Sequence, residues 1–420
     1  MSRPGDEQAR TVSRRSPRSS AEVRHLVVQA ATALFAERGY ARVATRDIAR
    51  FADVTPSQLF AHFGTKARLF EIAIVDPYVA TVSSFAERWR NDPASSPRLL
   101  YTVILKELFD VVGAEPGLMT ALIIAQAHEE SLVAEIEPSL RPVDEALRPL
   151  EQLVQVPGSA DPNAPVIAIR LTHGTVLAAT QFQPWLTSHL TDRESTIAAM
   201  TDLLTNGLGS TVDGATAARG LLADNTDKTD GADRTNGADR APAEGMRPRL
   251  LDAAATLFQQ RGYPGVSTRS IATEAGTSET ILFRHFPTKT ALFEQAVIEP
   301  WSGEVTRFLD HTREHDLTPL LAEMYHLFHR NRPALVSLLE YERHSTEPTE
   351  TPASFTALLD HLQRRLPPER AHASSIAGLT VAAVLGAAVL DVWLFTGHAP
   401  GSELVVAGLV DLMESGISVR

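Results

Sequence analysis

Two stretches of the 420-residue chain spell nearly the same phrase, LFAHFGTKARLF from Leu59 to Phe70 and LFRHFPTKTALF from Leu282 to Phe293. The match extends backwards at one constant offset without a gap. Leu34-Phe35 answers to Leu257-Phe258, Arg38-Gly39-Tyr40 to Arg261-Gly262-Tyr263, Thr45-Arg46 to Thr268-Arg269, and Ile48-Ala49 to Ile271-Ala272; the repeat closes at Pro77 and Pro300. A repeat without insertions describes a compact unit whose packing sets every spacing, and it constrains the architecture before any single element is named. The length agrees, because 420 residues exceed what one hydrophobic core serves.

Within each unit the signals are helical. LVVQAATALFAERGY and LLDAAATLFQQRGY carry apolar residues at helical spacing and stop at Gly39 and Gly262. Thr45 and Thr268 stand where an N-cap is expected, ahead of a short helix with Ile48-Ala49 or Ile271-Ala272 on its inner face. A turn follows, with Asp53 or Gly276 suited to a left-handed residue. Thr55 before Pro56, and Ser278 before Glu279, then cap a further short helix whose expected buried stripe is Leu59, Phe60 and Phe63, or Leu282, Phe283 and Phe286. Short helix, tight turn, short helix with a polar leading end is the helix-turn-helix pattern, in which the second helix enters the major groove.

Both copies resemble the amino-terminal DNA-binding domain of the TetR family of bacterial regulators, through the Thr-rich helix start, the IA..A spacing, the aromatic near the end of the recognition helix and the F and K that open the next helix. The first copy departs at Asp53, where the family favours glycine. Both have phenylalanine, Phe60 and Phe283, where the family often has a tyrosine. The resemblance implies an all-α fold of two tandem units, each a three-helix DNA-binding domain followed by a helical ligand-binding and dimerisation bundle. Its last two helices would form a four-helix interface.

Candidate phosphate contacts are Thr45, Arg46 and Lys66 with their counterparts Thr268, Arg269 and Lys289, all at helix starts, where the alternative role is helix capping. His62 and His285 could reach a phosphate or a base edge, or cover the core. Base reading is expected from Thr55, Pro56, Ser57 and Gln58 in one copy and Ser278, Glu279, Thr280 and Ile281 in the other. Gln58 suits adenine, Glu279 cytosine and Ile281 a thymine methyl; Glu279 could equally serve the helix amino terminus. Two differing readers imply an asymmetric operator. The formal charge of −12 opposes DNA binding by the chain as a whole, yet residues 1–70 hold twelve Lys and Arg against six Asp and Glu, and residues 246–293 hold six against three. Cationic charge is thus concentrated in the repeated units, and an arm with Arg14, Arg15 and Arg18 precedes the first.

The expected organisation is a disordered basic arm (1–20), a first helix-turn-helix domain (21–70), a first regulatory bundle (71–208), a flexible linker (209–245), a second helix-turn-helix domain (246–293) and a second bundle (294–420). The linker stretch repeats GADR and has nothing able to bury a core. It would let the halves form an intramolecular pseudo-dimer, with further self-association open. Trp185 and Trp393 are expected to anchor the core or the interface. The apolar run from Gly378 to Phe395 is interrupted by Asp391 and reads as a buried bundle helix rather than a membrane span. Cysteine is absent, and the amino terminus lacks a secretory signal's apolar run, in keeping with a cytoplasmic protein. HTREH at His311 to His315 fits an H-x-x-E-H zinc pattern, but no distant Glu ligand stands out; no catalytic residue, metal or cofactor is expected. The functional expectation is a sequence-specific transcriptional regulator, a repressor released by a small-molecule effector, binding double-stranded DNA. The alternatives are an effector-independent DNA-binding protein with one degenerate head, or an interaction scaffold that has lost DNA binding.

Overall fold

The computed structural model describes residues 18–91, 97–114, 116–151, 154–157, 159, 161–207, 245–313, 315–344, 352–366, 372–390, 401–416 and 418–419. Residues 1–17 of the expected arm, with Arg14 and Arg15, almost all of the linker, Asp391 and Trp393 lie outside them, whereas residues 18–20, expected in the disordered arm, are ordered against the first head. The first half runs through α1 (Ser20–Arg38), α2 (Thr45–Phe51), α3 (Pro56–Phe63), α4 (Lys66–Phe70), α5 (Asp76–Asn91), α6 (Pro97–Ala114), α7 (Pro116–His128), α8 (Glu130–Glu151), α9 (Ala164–Gln181), α10 (Gln183–Leu186) and α11 (Arg193–Asn206). The second follows the same plan with α12 (Met246–Gly265), α13 (Thr268–Glu274), α14 (Glu279–His285), α15 (Lys289–Phe293), α16 (Glu299–His311), α17 (Leu317–Arg330), α18 (Arg332–His344), α19 (Ala353–Gln363), α20 (Ala373–Ala388) and α21 (Ser402–Ser415). The fold is all-α, in two tandem units.

Each head is built by local rules. A reciprocal cap between Ser19 and Glu22 starts α1, Val23, Val27, Ala30, Ala31, Leu34 and Phe35 bury its inner face, and Gly39 ends it at φ 75°. The turn between α2 and α3 passes through Asp53 at φ 53°, and its equivalent through Gly276 at φ 66°. Arg18 holds the first turn, donating to the Asp53 carbonyl at 2.6 Å and carboxylate at 2.7 Å, while Arg249 donates to the Ala275 carbonyl at 2.6 Å in the second. Arg24 lies over the Phe63 ring and Arg247 over Phe286, at 5.2 and 4.9 Å.

Two local expectations are corrected. Thr45 and Thr268 are the first helical residues and not the caps. The extended cap positions belong to Ala44, which offers no side-chain bond, and to Ser267, which exchanges bonds with Ser270. Phe60 and Phe283 do not join the buried stripe: Leu59 with Phe63, and Leu282 with Phe286, face the core at i, i+4, whereas the phenylalanines one residue on are 47% and 46% exposed. Within the first bundle α9 ends at Gln181, and the short α10 restarts around Pro184.

Between head and bundle the helix ladder changes in the same place in both halves. Residues Glu71–Val75 and Glu294–Ile298 each form one π-helical turn, so that Asp76 N–H reaches the Glu71 carbonyl and Glu299 N–H that of Glu294. The next residues are Pro77 and Pro300, which cannot donate to the carbonyl four residues back. In the first half that carbonyl, on Ala73, accepts instead from the Thr32 hydroxyl at 3.2 Å.

The halves meet most extensively where α9 crosses α20, with α11 and α21 completing the contact. A Cβ on Gly386 would lie 2.4 Å from the Gly174 backbone, so this crossing admits only glycine. From Ile376 to Ala388 every residue of α20 is buried. Among the described residues no helix is long and apolar enough to cross a membrane. Around the crossing Trp185 packs on Phe355 with ring centroids 4.6 Å apart, His189 Nε2 pairs with Gln363 Oε1 at 2.9 Å, and Val154-Gln155 forms a two-residue antiparallel ladder with Ser418-Val419. A second junction lies beneath the heads, where α7 touches α1, α12 and α18. There Glu340 of α18 is buried against Gly262, its carboxyl pushed up to about 8 by burial although Arg42 and Lys289, one from each head, oppose this. His128 of α7 comes within 3.8 Å of it.

We expect Gly386→Leu, which forces bulk into the Gly174 crossing, to cost about 1–3 kcal/mol in urea unfolding; an unchanged midpoint would contradict the crossing. A pH dependence also follows. His173, sharing a 2.9 Å hydrogen bond with the Tyr78 hydroxyl, is driven by burial to a pKa of about 3, and burial drives His128 to about 4. Both stay neutral in the folded chain while the unfolded chain protonates below about 6.5. The contribution of these two histidines is therefore full above that pH and falls as pH drops towards 4, by up to about 1.4 kcal/mol per pH unit for each, against the opposite contribution of Glu340, whose raised pKa favours the folded chain as pH falls below about 8. His173→Gln should therefore lose less stability than the parent between pH 7 and pH 4.5 in thermal melts.

Candidate nucleic-acid interface

The leading turns of α3 and α14 are exposed and differently built. In the first, Thr55 caps the helix by accepting from the Gln58 N–H at 3.2 Å, and the Gln58 Oε1 accepts from the Thr55 N–H at 3.0 Å and hydroxyl at 3.1 Å. Pro56 and Ser57 stand exposed beside them. A two-bond contact from Gln58 to adenine would first have to release this cap. In the second, Ser278 accepts from the Ile281 N–H at 3.4 Å, Thr280 is exposed, and Ile281 is half-buried. The Glu279 carboxylate accepts from the Thr268 hydroxyl at 2.7 Å, tying the start of α13 to the start of α14. Its acceptor capacity thus serves the head's own structure as well as the helix amino terminus.

Around these turns lie Arg46 and Arg269, both exposed at the starts of α2 and α13, with Thr45 and Thr268 half-buried beside them. Phe60 and Phe283 project from the third helix of each head, at the position where the resembled family often has a tyrosine, and lack its hydroxyl. His62 and His285 are half-buried, their rings 6.2 and 6.5 Å from Phe63 and Phe286, so each covers the core with one face and leaves the other to solvent. The sequence reading missed Arg284, an exposed cation in the last turn of α14. Its first-half counterpart is Ala61, so the comparison of the two copies that revealed the other cations passed over it.

The two lysines are the clearest departure from expectation. The Lys66 ammonium lies 3.9 Å from the Tyr40 ring centroid, and its pKa is lowered by burial. Lys289 donates to the Tyr263 carbonyl at 2.5 Å, lies 4.2 Å from that residue's ring centroid, and is lowered to about 8 by burial, with Arg42 acting in the same direction. Both cations are directed to the end of the head's first helix, where they close an aromatic cluster of Phe35, Tyr40 and Phe70, or Phe258, Tyr263 and Phe293. The negative ring faces in both heads, and in the second the Tyr263 carbonyl, outcompete solvent for them.

Comparison with known proteins agrees with this geometry. The family model described as bacterial regulatory proteins, tetR family, matches residues 27–73 and 250–296. The chain is similar to the HTH-type transcriptional repressor Rv3405c of Mycobacterium tuberculosis, 48% identical over 56 residues, which cover 13% of this chain and 30% of the relative. It is also similar to the uncharacterized HTH-type transcriptional regulator YvkB of Bacillus subtilis, 35% identical over 94 residues, covering 19% and 48%. A third relative, the biofilm operon icaADBC HTH-type negative transcriptional regulator IcaR of Staphylococcus aureus, is 35% identical over 52 residues, covering 12% and 28%. The chain spans less than half the length of each.

Because Lys289 satisfies the Tyr263 carbonyl, Lys289→Ala should cost about 1–2 kcal/mol of stability in denaturant unfolding. A variant as stable as the parent would place that ammonium in solvent instead.

Proposed function

Since the chain belongs to the tetR family of bacterial regulatory proteins and carries that family's DNA-binding unit twice, we propose that it is a cytoplasmic transcriptional repressor whose single polypeptide supplies both DNA-reading heads. The observation that carries this reading is the packing of α9 and α11 on α20 and α21 of the same chain, which occupies the helix pairs that the resemblance assigns to dimerisation. Heads at 21–70 and 246–293, bundles at 71–208 and 294–420, and a linker at 209–245 are the division we adopt. A tether of that length keeps the partner at high effective concentration, so assembly no longer depends on how much protein the cell holds. Repression is favoured by the similarity to Rv3405c, a transcriptional repressor, and to IcaR, a negative transcriptional regulator.

In this reading Arg46, Arg269, Thr45, Thr268, His62 and His285 meet phosphates, joined by Arg284. The turns Thr55–Gln58 and Ser278–Ile281 read bases. Because these turns differ at every position, the operator is asymmetric, with half-sites one helical turn, about 34–36 Å, apart. A small molecule bound in a bundle would act by changing that spacing: α7 touches the first helix of both heads, so its displacement shifts the two together or apart.

The test is fluorescence anisotropy on operator DNA across a salt series. Arg46→Ala and Arg269→Ala should each weaken binding to all sequences and lower the salt slope by about 1. A scaffold without DNA binding would show no operator affinity to lose. The complex on one operator should contain a single 45.6 kDa chain; two chains per site in native mass measurement would refute the intramolecular pairing.

A further inference from the structure

The corner between α16 and α17 gathers three side chains that the DNA-binding reading leaves unused. His311 is the last residue of α16, His315 follows in the connection, and Glu323 lies in the second turn of α17. Their ligand atoms all fall within 4.8 Å of one another. His311 Nε2 is 3.7 Å and His315 Nδ1 3.4 Å from the same carboxylate oxygen, Glu323 Oε1. Tetrahedral bonds of 2.0–2.1 Å place neighbouring ligand atoms about 3.4 Å apart, so the cluster is within a small side-chain rotation of that geometry. His315 Nδ1 is moreover a buried atom that makes no hydrogen bond within the described residues, a condition that a bound cation would relieve.

The backbone beneath the cluster is held firmly. The Thr312 side chain donates to the Phe308 carbonyl at 2.8 Å, and Arg365, arriving from the end of α19, donates to the Thr312 and Arg313 carbonyls at 2.7 and 2.8 Å. Two imidazoles and one carboxylate, on a braced corner with an open side, form a donor set suited to zinc and its first-row neighbours rather than to calcium or magnesium, which demand oxygen. The H-x-x-E-H spacing visible in the sequence supplies the two histidines, but the third ligand comes from the next helix.

We propose that His311, His315 and Glu323 form a binding site for a divalent transition-metal ion of the zinc class, which staples the end of α16 to α17. The site stands on these three residues and not on the DNA-binding reading. Its test is calorimetric titration of the full chain with zinc chloride, alongside His311→Ala, His315→Ala and Glu323→Gln. The parent should take up one equivalent at this site. Each variant should bind it about 100-fold more weakly, since even an outer-shell partner of a metal site is worth about 10- to 100-fold. Zinc should also raise the melting temperature of the parent and leave that of Glu323→Gln unmoved. The Gln variant keeps the shape of the side chain, so it remains informative should a histidine variant fail to fold, as circular dichroism would reveal. Equal affinity in parent and variants, or no uptake by the parent, would overturn the site.

Discussion

The contact on which the rest of the molecule depends is the crossing of α9 and α20 at Gly174 and Gly386. With no side chain at the crossing, two long buried helices approach to backbone contact, and the apolar surface of each half finds its cover in the other. The contacts that surround it fix the same relation of the halves: Trp185 on Phe355, His189 on Gln363, and the ladder that pairs Ser418-Val419 with the first half. A cysteine-free chain has no covalent means of fixing this arrangement, so close packing provides it.

That central contact alone would leave the heads to their own devices. They are restrained from below by α7 and α18, and unequally. The second head is gripped by the second bundle, where Ser337 donates to the Phe258 carbonyl at 2.6 Å and Tyr341 packs on Tyr263 and Phe293 at 4.9 Å. Glu340 adds a buried carboxyl facing cations from both heads. A change in α7 is therefore felt on both sides, whereas a change in α18 reaches chiefly the second.

The heads were legible in the sequence because each is governed by local rules that are stated twice. Glycine stops, caps at Thr55 and Ser278, and the left-handed Asp53 and Gly276 all stand where spacing puts them. The errors were of one residue or one face. Ala44 and Ser267 take the caps ahead of Thr45 and Thr268, and Phe60 and Phe283 turn outward, because a three-residue apolar stripe does not reveal which member leaves the core on so short a helix. Lys66 and Lys289 misled for a different reason: a cation at a helix start suits phosphate equally well on paper, and only the folded chain shows the carbonyl and ring that compete for it. The junction at Glu340 and the approach of Glu323 to two histidines join distant or separately oriented residues, and no periodicity announces them.

The paired π turns give the molecule a mechanical property. At Glu71–Val75 and Glu294–Ile298 the ladder has already surrendered its regular register ahead of Pro77 and Pro300, so a bend there would break one backbone bond fewer than in regular helix. Each head is thus joined to its bundle through a turn with one ladder bond fewer, at the same position in both halves, where a displacement of the bundle would be accommodated at lower cost than along the regular helix.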